Sequence, residues 1–267
     1  HIEVLKETNG KTTASSHFLR FTRPVEGLAK QTTHKVATAF GLELLPDVKF
    51  LDKHIPIAEQ LRVISVKGQV AVFFPAEKET SNLRFHLHAP FVPELSRASI
   101  KDTPANQPLF GQVAELCANA LHEMKSLGLL SVQSLAVFPN SSDEIPERYQ
   151  RIRERIFSEM NKEDLVPCHS GGYKPAKSLI QSAAALKVLL DEQDLNFWFR
   201  EQELGEVAWV RSAPQRNSPS DRFLNDLAVT PWSIEDFADE MENASSEVET
   251  NYWRGNQERE PNGEFME

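Results

Sequence analysis

A stripe of apolar residues between 109 and 127 constrains this chain more than any other feature. Leu109, Val113, Leu116, Cys117, Ala120, Leu121, Met124 and Leu127 recur at intervals of three and four, the spacing that gathers side chains on one face of an α-helix. Gly128 follows, where a residue able to turn left-handed commonly ends a helix. Such a face has to be covered, and the preceding stretch offers the cover. Val70, Val72 and Phe74 alternate with Ala71 and Phe73 up to Pro75, which predicts a strand buried on both faces. Glu77-Lys78-Glu79-Thr80-Ser81-Asn82 reads as a charged loop ending in turn formers. A second strand then puts Leu83, Phe85, Leu87 and Ala89 on one face and Arg84, His86 and His88 on the other. Past Pro90 and Pro93 the backbone lacks donors and cannot continue as a central strand. Glu94 to Ile100 is therefore read as an irregular turn, and it carries Arg97.

Around this centre the chain reads as mixed α and β. Asn9-Gly10 is a favoured hairpin turn between Ile2–Leu5 and Phe18–Phe21, with Pro24 as the stop. Leu61–Val66 and Gln69–Phe74 are predicted to pair across Lys67-Gly68. Val132–Phe138 reads as a strand closed by Pro139-Asn140. Pro146 opens a helix with Tyr149, Ile152, Ile156, Phe157 and Met160 on one face. Further on, 191–199 reads as a helix with an acidic start and 207–210 as a brief strand. Phe223, Leu224 and Leu227 suggest a short helix, and Ser233 caps another over Ile234, Phe237 and Met241.

Composition removes several classes of function. Twenty-nine basic against thirty-nine acidic residues give a net charge of −10 over 267 residues, a field that repels nucleic acid and anionic membranes. No local basic patch offsets it, because the arginines of 148–155 are interleaved with Glu147 and Glu154. No apolar run approaches the roughly 20 residues of a membrane span, and no secretory signal opens the chain. Two cysteines, Cys117 and Cys168, do not make a disulfide framework. The expectation is a reduced, soluble, cytoplasmic protein.

The order strand, polar loop, strand, arginine-bearing turn and long helix over 68–130 resembles the middle, or transducer, segment of the GHKL ATPases. Among these it is most similar to the sacsin-like proteins and the ninety-kilodalton heat-shock chaperones. In those chaperones a strand pair leads to an N-[IL]-S-R-E-x-L turn and a long helix; the matching turn here is Glu94-Leu95-Ser96-Arg97-Ala98-Ser99-Ile100. LRFHLHAPF resembles the H-x-N-x-x-F strand of sacsin-like proteins, and FPAEKETSNLRFH is similar to segments of a group of bacterial ATP-binding proteins. LVPCHSGGYKPAKSLI resembles the strand, glycine turn and Pro-Ala step that follow the transducer in sacsin-like proteins. The likeness to the bacterial group spans residues 15–240, and that to the chaperones 68–130.

The resemblance implies a layered α+β architecture: a transducer-type mixed sheet packed with helices, then a smaller mixed α+β segment. Residues 34–45, ambiguous by periodicity between strand and short helix, become a strand under it. It divides the chain into a hairpin at 1–25 trailing from an ATP-binding domain outside the chain, a middle domain at 26–162, the smaller segment at 163–241, and a poorly packed acidic tail at 242–267. A first residue of His1 within a strand-like pattern suggests the same thing, a piece of a longer protein.

Arg97 acquires a role only through the resemblance, that of the catalytic cation reaching the γ-phosphate of ATP. By spacing alone it is a surface arginine in an irregular turn. Lys78 stands as a second ATP-contacting residue by analogy with transducer-loop lysines, and otherwise as a solvated loop charge. ATP and Mg²⁺ would be held mainly elsewhere, since the sequence contains no D-x-G-x-G segment. Implied partners are the chain's own N-terminal ATP-binding domain, a protein client and a second copy in a homodimer. His86 and His88 share one side of a strand at a spacing that suits a metal, but no nearby motif supplies a third ligand. Hydrogen-bonded strand histidines are the alternative. Ser170-Gly171-Gly172 is a turn, too short for a phosphate loop. The reading from another class is a non-catalytic protein-interaction module of a larger protein, with 165–240 as its surface.

Overall fold

A computed structural model describes residues 1–8, 11–27, 34–200, 202 and 205–243. The expected Asn9-Gly10 turn and nearly all of the acidic tail lie outside the described residues. Ile2–Thr8 (β1) and Lys11–Pro24 (β2) form an antiparallel hairpin, and β2 runs antiparallel to Lys35–Leu44 (β3), with Phe18 opposite Gly41. On its other edge β3 serves two partners in turn. Its C-terminal half pairs with Leu61–Ile64 (β4) and its N-terminal half with His86–His88 (β6), both antiparallel. Val70–Ala71 (β5) completes the mixed sheet by pairing parallel with β6. Alternation along β3 sends Val36, Phe40 and Leu42 into the core and turns Ala37 and Ala39 to the opposite face.

The hairpin expected across Lys67-Gly68 does not form. The chain runs on without reversing, so that residues 66–71 lie beside 83–89. Val66 N–H donates to Arg84 O, Gly68 N–H to Leu83 O and Leu87 N–H to Gln69 O at 2.9–3.1 Å. Gly68 is what this path requires, because a Cβ there would collide with the carbonyl oxygens of Leu83 and Phe85. The strand at 70–74 is likewise cut to β5. Phe73 is 66% exposed, so burial on both faces fails there.

Val132–Phe138 forms no strand either. Ser131 and Ser134 exchange side-chain hydrogen bonds with each other's backbone N–H, a local alternative to a ladder. The result is a 3-10 turn over Ser134–Val137 that still buries Leu135 and Val137. Arg84 fixes this turn to the sheet. It donates to Ala136 O at 2.7 Å and Phe138 O at 3.1 Å, and clasps Asp143 with two bonds of 2.7 and 2.9 Å.

The helical layer matches the periodicity. Gln107–Ser126 (α1) buries the predicted stripe from Leu109 to Met124, while Leu127, expected on the same face, follows the last helical turn and is exposed; Gly128 comes next with φ 71°. Glu147–Lys162 (α2) lies against it, burying Tyr149, Ile152, Ile156 and Met160. The stretch from 163 onward adds Val166–Pro167 (β7) paired with Tyr173–Lys174 (β8), then Leu179–Gln181 (β9), Ala184–Leu189 (α3) and Glu192–Trp198 (α4). Ala208–Trp209 (β10), Pro219–Asp226 (α5), Thr230–Pro231 (β11) and Ile234–Asn243 (α6) complete it. Asp191 caps α4 in a reciprocal box with Asp194, and Ser233 Oγ accepts from Asp236 N–H at the start of α6. β10 and β11 flank β9 in a small parallel sheet.

Two cores result. The main one joins sheet, α1 and α2, and also takes in Leu165, Val166, Leu179, Phe223 and Leu224 from the later stretch. A smaller one gathers Ile180, Leu186, Leu195, Trp209 and Trp232. The fold is α+β. Among the described residues, no helix is long and apolar enough to cross a membrane.

Candidate functional site

Arg97 sits at the tip of a tight reversal between Pro93 and Ile100, which bridge each other. Glu94 N–H donates to Ser99 O at 2.9 Å, and Arg97 N–H donates to Glu94 O at 2.8 Å. Arg97 has φ 58°, the left-handed region that costs a side-chain-bearing residue on the order of 1 kcal/mol. Asn106 fastens the base of the turn: its side chain accepts from Val92 N–H at 2.7 Å and donates to Val92 O and Lys101 O. The guanidinium lies 5.7 Å from the Phe74 ring centroid.

Lys78 is on a separate loop, but the two loops are joined. Lys78 N–H donates to Ala98 O at 2.8 Å, next to Arg97. Both side chains are exposed, and among the described residues neither is ion-paired with a carboxylate. Glu79, the neighbour of Lys78, is the opposite case. Its side chain is 8% exposed and lies where this loop, the Arg97 turn and α2 meet. It accepts from Tyr149 Oη at 2.8 Å and from Ile100 N–H at 3.0 Å, with Arg148 Nη1 3.4 Å away. Burial first, and then the Glu79 carboxylate, push the Tyr149 hydroxyl far above its ordinary pKa, so it stays a donor. Two exposed cations thus stand on loops that are held from beneath.

His86 and His88 do lie on one side of β6, and they face a cavity of about 560 Å³ on the sheet surface away from α1. Ala37, Ala39 and Ala71 lie in its wall, Phe73 bounds it, and Arg20, His34 and Lys35 are part of its polar lining. Gln69 N–H donates to His86 Nδ1 at 3.0 Å, so the neutral ring carries its proton on Nε2. Burial holds both histidines below their ordinary pKa, helped at His88 by Arg20. Among the described residues no cluster of three or more His, Cys, Asp or Glu is placed to hold a metal. The cavity does not include Arg97 or Lys78. The His86/His88 alternation marks one of its walls in the sequence; Arg20 and Lys35 carry no signal, since they converge only through the pairing of β2 with β3.

Comparison of the chain with protein-family models, with curated proteins and with solved structures gives no match.

Proposed function

We propose that this chain is the middle, transducer-type part of a GHKL-type, chaperone-like ATPase. In this role Arg97 is the cation presented to the γ-phosphate of ATP, and Lys78 is a second contact to the same nucleotide. The observation that carries the reading is the Lys78–Ala98 backbone bond, which joins two exposed cations on one braced edge. Charge on the γ-phosphoryl oxygens is stabilised by a guanidinium through paired hydrogen bonds, and a cation that need not reorganise does this best. Mg²⁺ and the adenine pocket belong to an N-terminal ATP-binding domain outside the chain. A protein client, a homodimer and a cytoplasmic setting are part of the same reading.

The test is calorimetric titration of the isolated chain with Mg-ATP. The reading expects no saturable binding at micromolar concentrations. Micromolar binding that survives Arg20→Gln, and so does not come from the sheet cavity, would contradict it.

One observation favours the rival reading as a protein-interaction module. Val188 and Leu189 on α3 are 86% and 65% exposed, adjacent large hydrophobes turned to solvent. Val188→Asp with Leu189→Asp would abolish partner capture under that reading and leave ATP turnover unchanged.

A further inference from the structure

We propose that the cavity on the outer face of the sheet binds a small, flat organic anion, an aromatic ring carrying a carboxylate or a phosphate. Three observations converge there. The first is shape. A volume of about 560 Å³ falls in the range of small-molecule sites, and three of the strand positions in its wall are the alanines 37, 39 and 71. Large residues at those positions would fill the hollow.

The second is charge. The lining holds Arg20, Lys35 and three histidines and no carboxylate, in a chain whose acidic residues outnumber the basic by ten. Two cationic side chains beside imidazoles suit one anionic group with further hydrogen-bond acceptors. His86 presents an N–H donor rather than a lone pair, because Gln69 occupies its Nδ1. That is the wrong polarity for a metal and the right one for an anion.

The third is the aromatic wall. Phe73 is 66% exposed although its neighbour Val72 is buried at 1%. Its ring stands 5.5 Å from His34 and 6.1 Å from His88, centroid to centroid. An exposed phenyl held beside imidazoles at the edge of a cationic hollow offers a planar ligand a stacking surface. None of these residues belongs to the Arg97 turn, so the inference stands independently of the ATPase reading.

The experiment is titration of the full chain with 1-naphthyl phosphate, 1-naphthoate, 1-naphthol and inorganic phosphate, with backbone amide shifts recorded alongside. One or both organic anions should bind saturably at one site, shifting the amides of Ala37, Ala39 and Ala71. Whichever binds tighter names the acidic group. Naphthol and inorganic phosphate should each bind at least tenfold more weakly. Arg20→Gln combined with Lys35→Gln, both exposed positions, should weaken the anion at least tenfold, and Phe73→Ala at least fivefold, while Arg97→Ala changes nothing. Absence of saturable binding by both anions overturns the proposal. So does naphthol binding equally well, or shifts confined to other parts of the chain.

Discussion

Glu79 sits in Glu77-Lys78-Glu79-Thr80, a run that reads as solvated loop because nothing within it marks one carboxylate as buried. The mark lies about 70 residues on, in Tyr149, and only the packing of α2 brings the two together. Removing the carboxylate leaves the Tyr149 hydroxyl and the Ile100 N–H unpartnered, so Glu79→Ala should cost about 2–4 kcal/mol in urea unfolding. A loss under 0.5 kcal/mol would mean the brace is unimportant. His86 and His88 make a prediction with a definite sign. Their pKa values are depressed in the fold, so the stability tied to their neutral forms is fully present above about pH 6.5. It is lost as pH falls from there through the depressed folded values. The urea midpoint should therefore drop between pH 7.5 and 5.5, and His86→Gln with His88→Gln should flatten that drop. An equal drop in the double variant would place the pH dependence elsewhere. Arg97 was legible as a residue on a turn, because the prolines and the long helix bracket it; its left-handed backbone was not.

Helices were the elements easiest to read. The stripe of α1 and the face of α2 are fixed by side chains three and four apart, a local code that survives whatever packs against them. Strand partners were harder, because pairing is decided by residues far apart in sequence. Lys67-Gly68 looks like a turn from its neighbours, yet the glycine is there for close approach to the carbonyls of Leu83 and Phe85. Gly68→Ala should consequently destabilise the protein by about 2–3 kcal/mol, since the obstructing atoms are backbone and cannot swing aside. A turn glycine with ordinary φ would tolerate the same change within a few tenths of a kcal/mol, and that outcome would refute the crossing geometry. Val132–Phe138 forms no strand because two serines three residues apart bond each other's backbone.

At the scale of the molecule, the stretch beyond 163 is tied into the main body by aromatic rings. Phe223 on α5 packs against Phe138 at 5.6 Å and Phe157 at 5.4 Å, and Phe138 in turn meets Phe40 of β3 at 6.1 Å. Phe223→Ala should cost about 3–5 kcal/mol, and amide exchange should quicken in β3 as well as in α5. Quickening confined to the later stretch would show two independent units. A turn braced by Glu79 and Asn106 on this continuous core holds the Arg97 backbone in place. If the proposed reading holds, the most direct measurement is steady-state ATP turnover by this chain together with the proposed ATP-binding domain, with arginine or alanine at position 97. Arg97→Ala is expected to lower kcat at least a hundredfold, about 2.7 kcal/mol of transition-state stabilisation, with KM for ATP within a few-fold of the parent. Turnover unchanged by the substitution would contradict it.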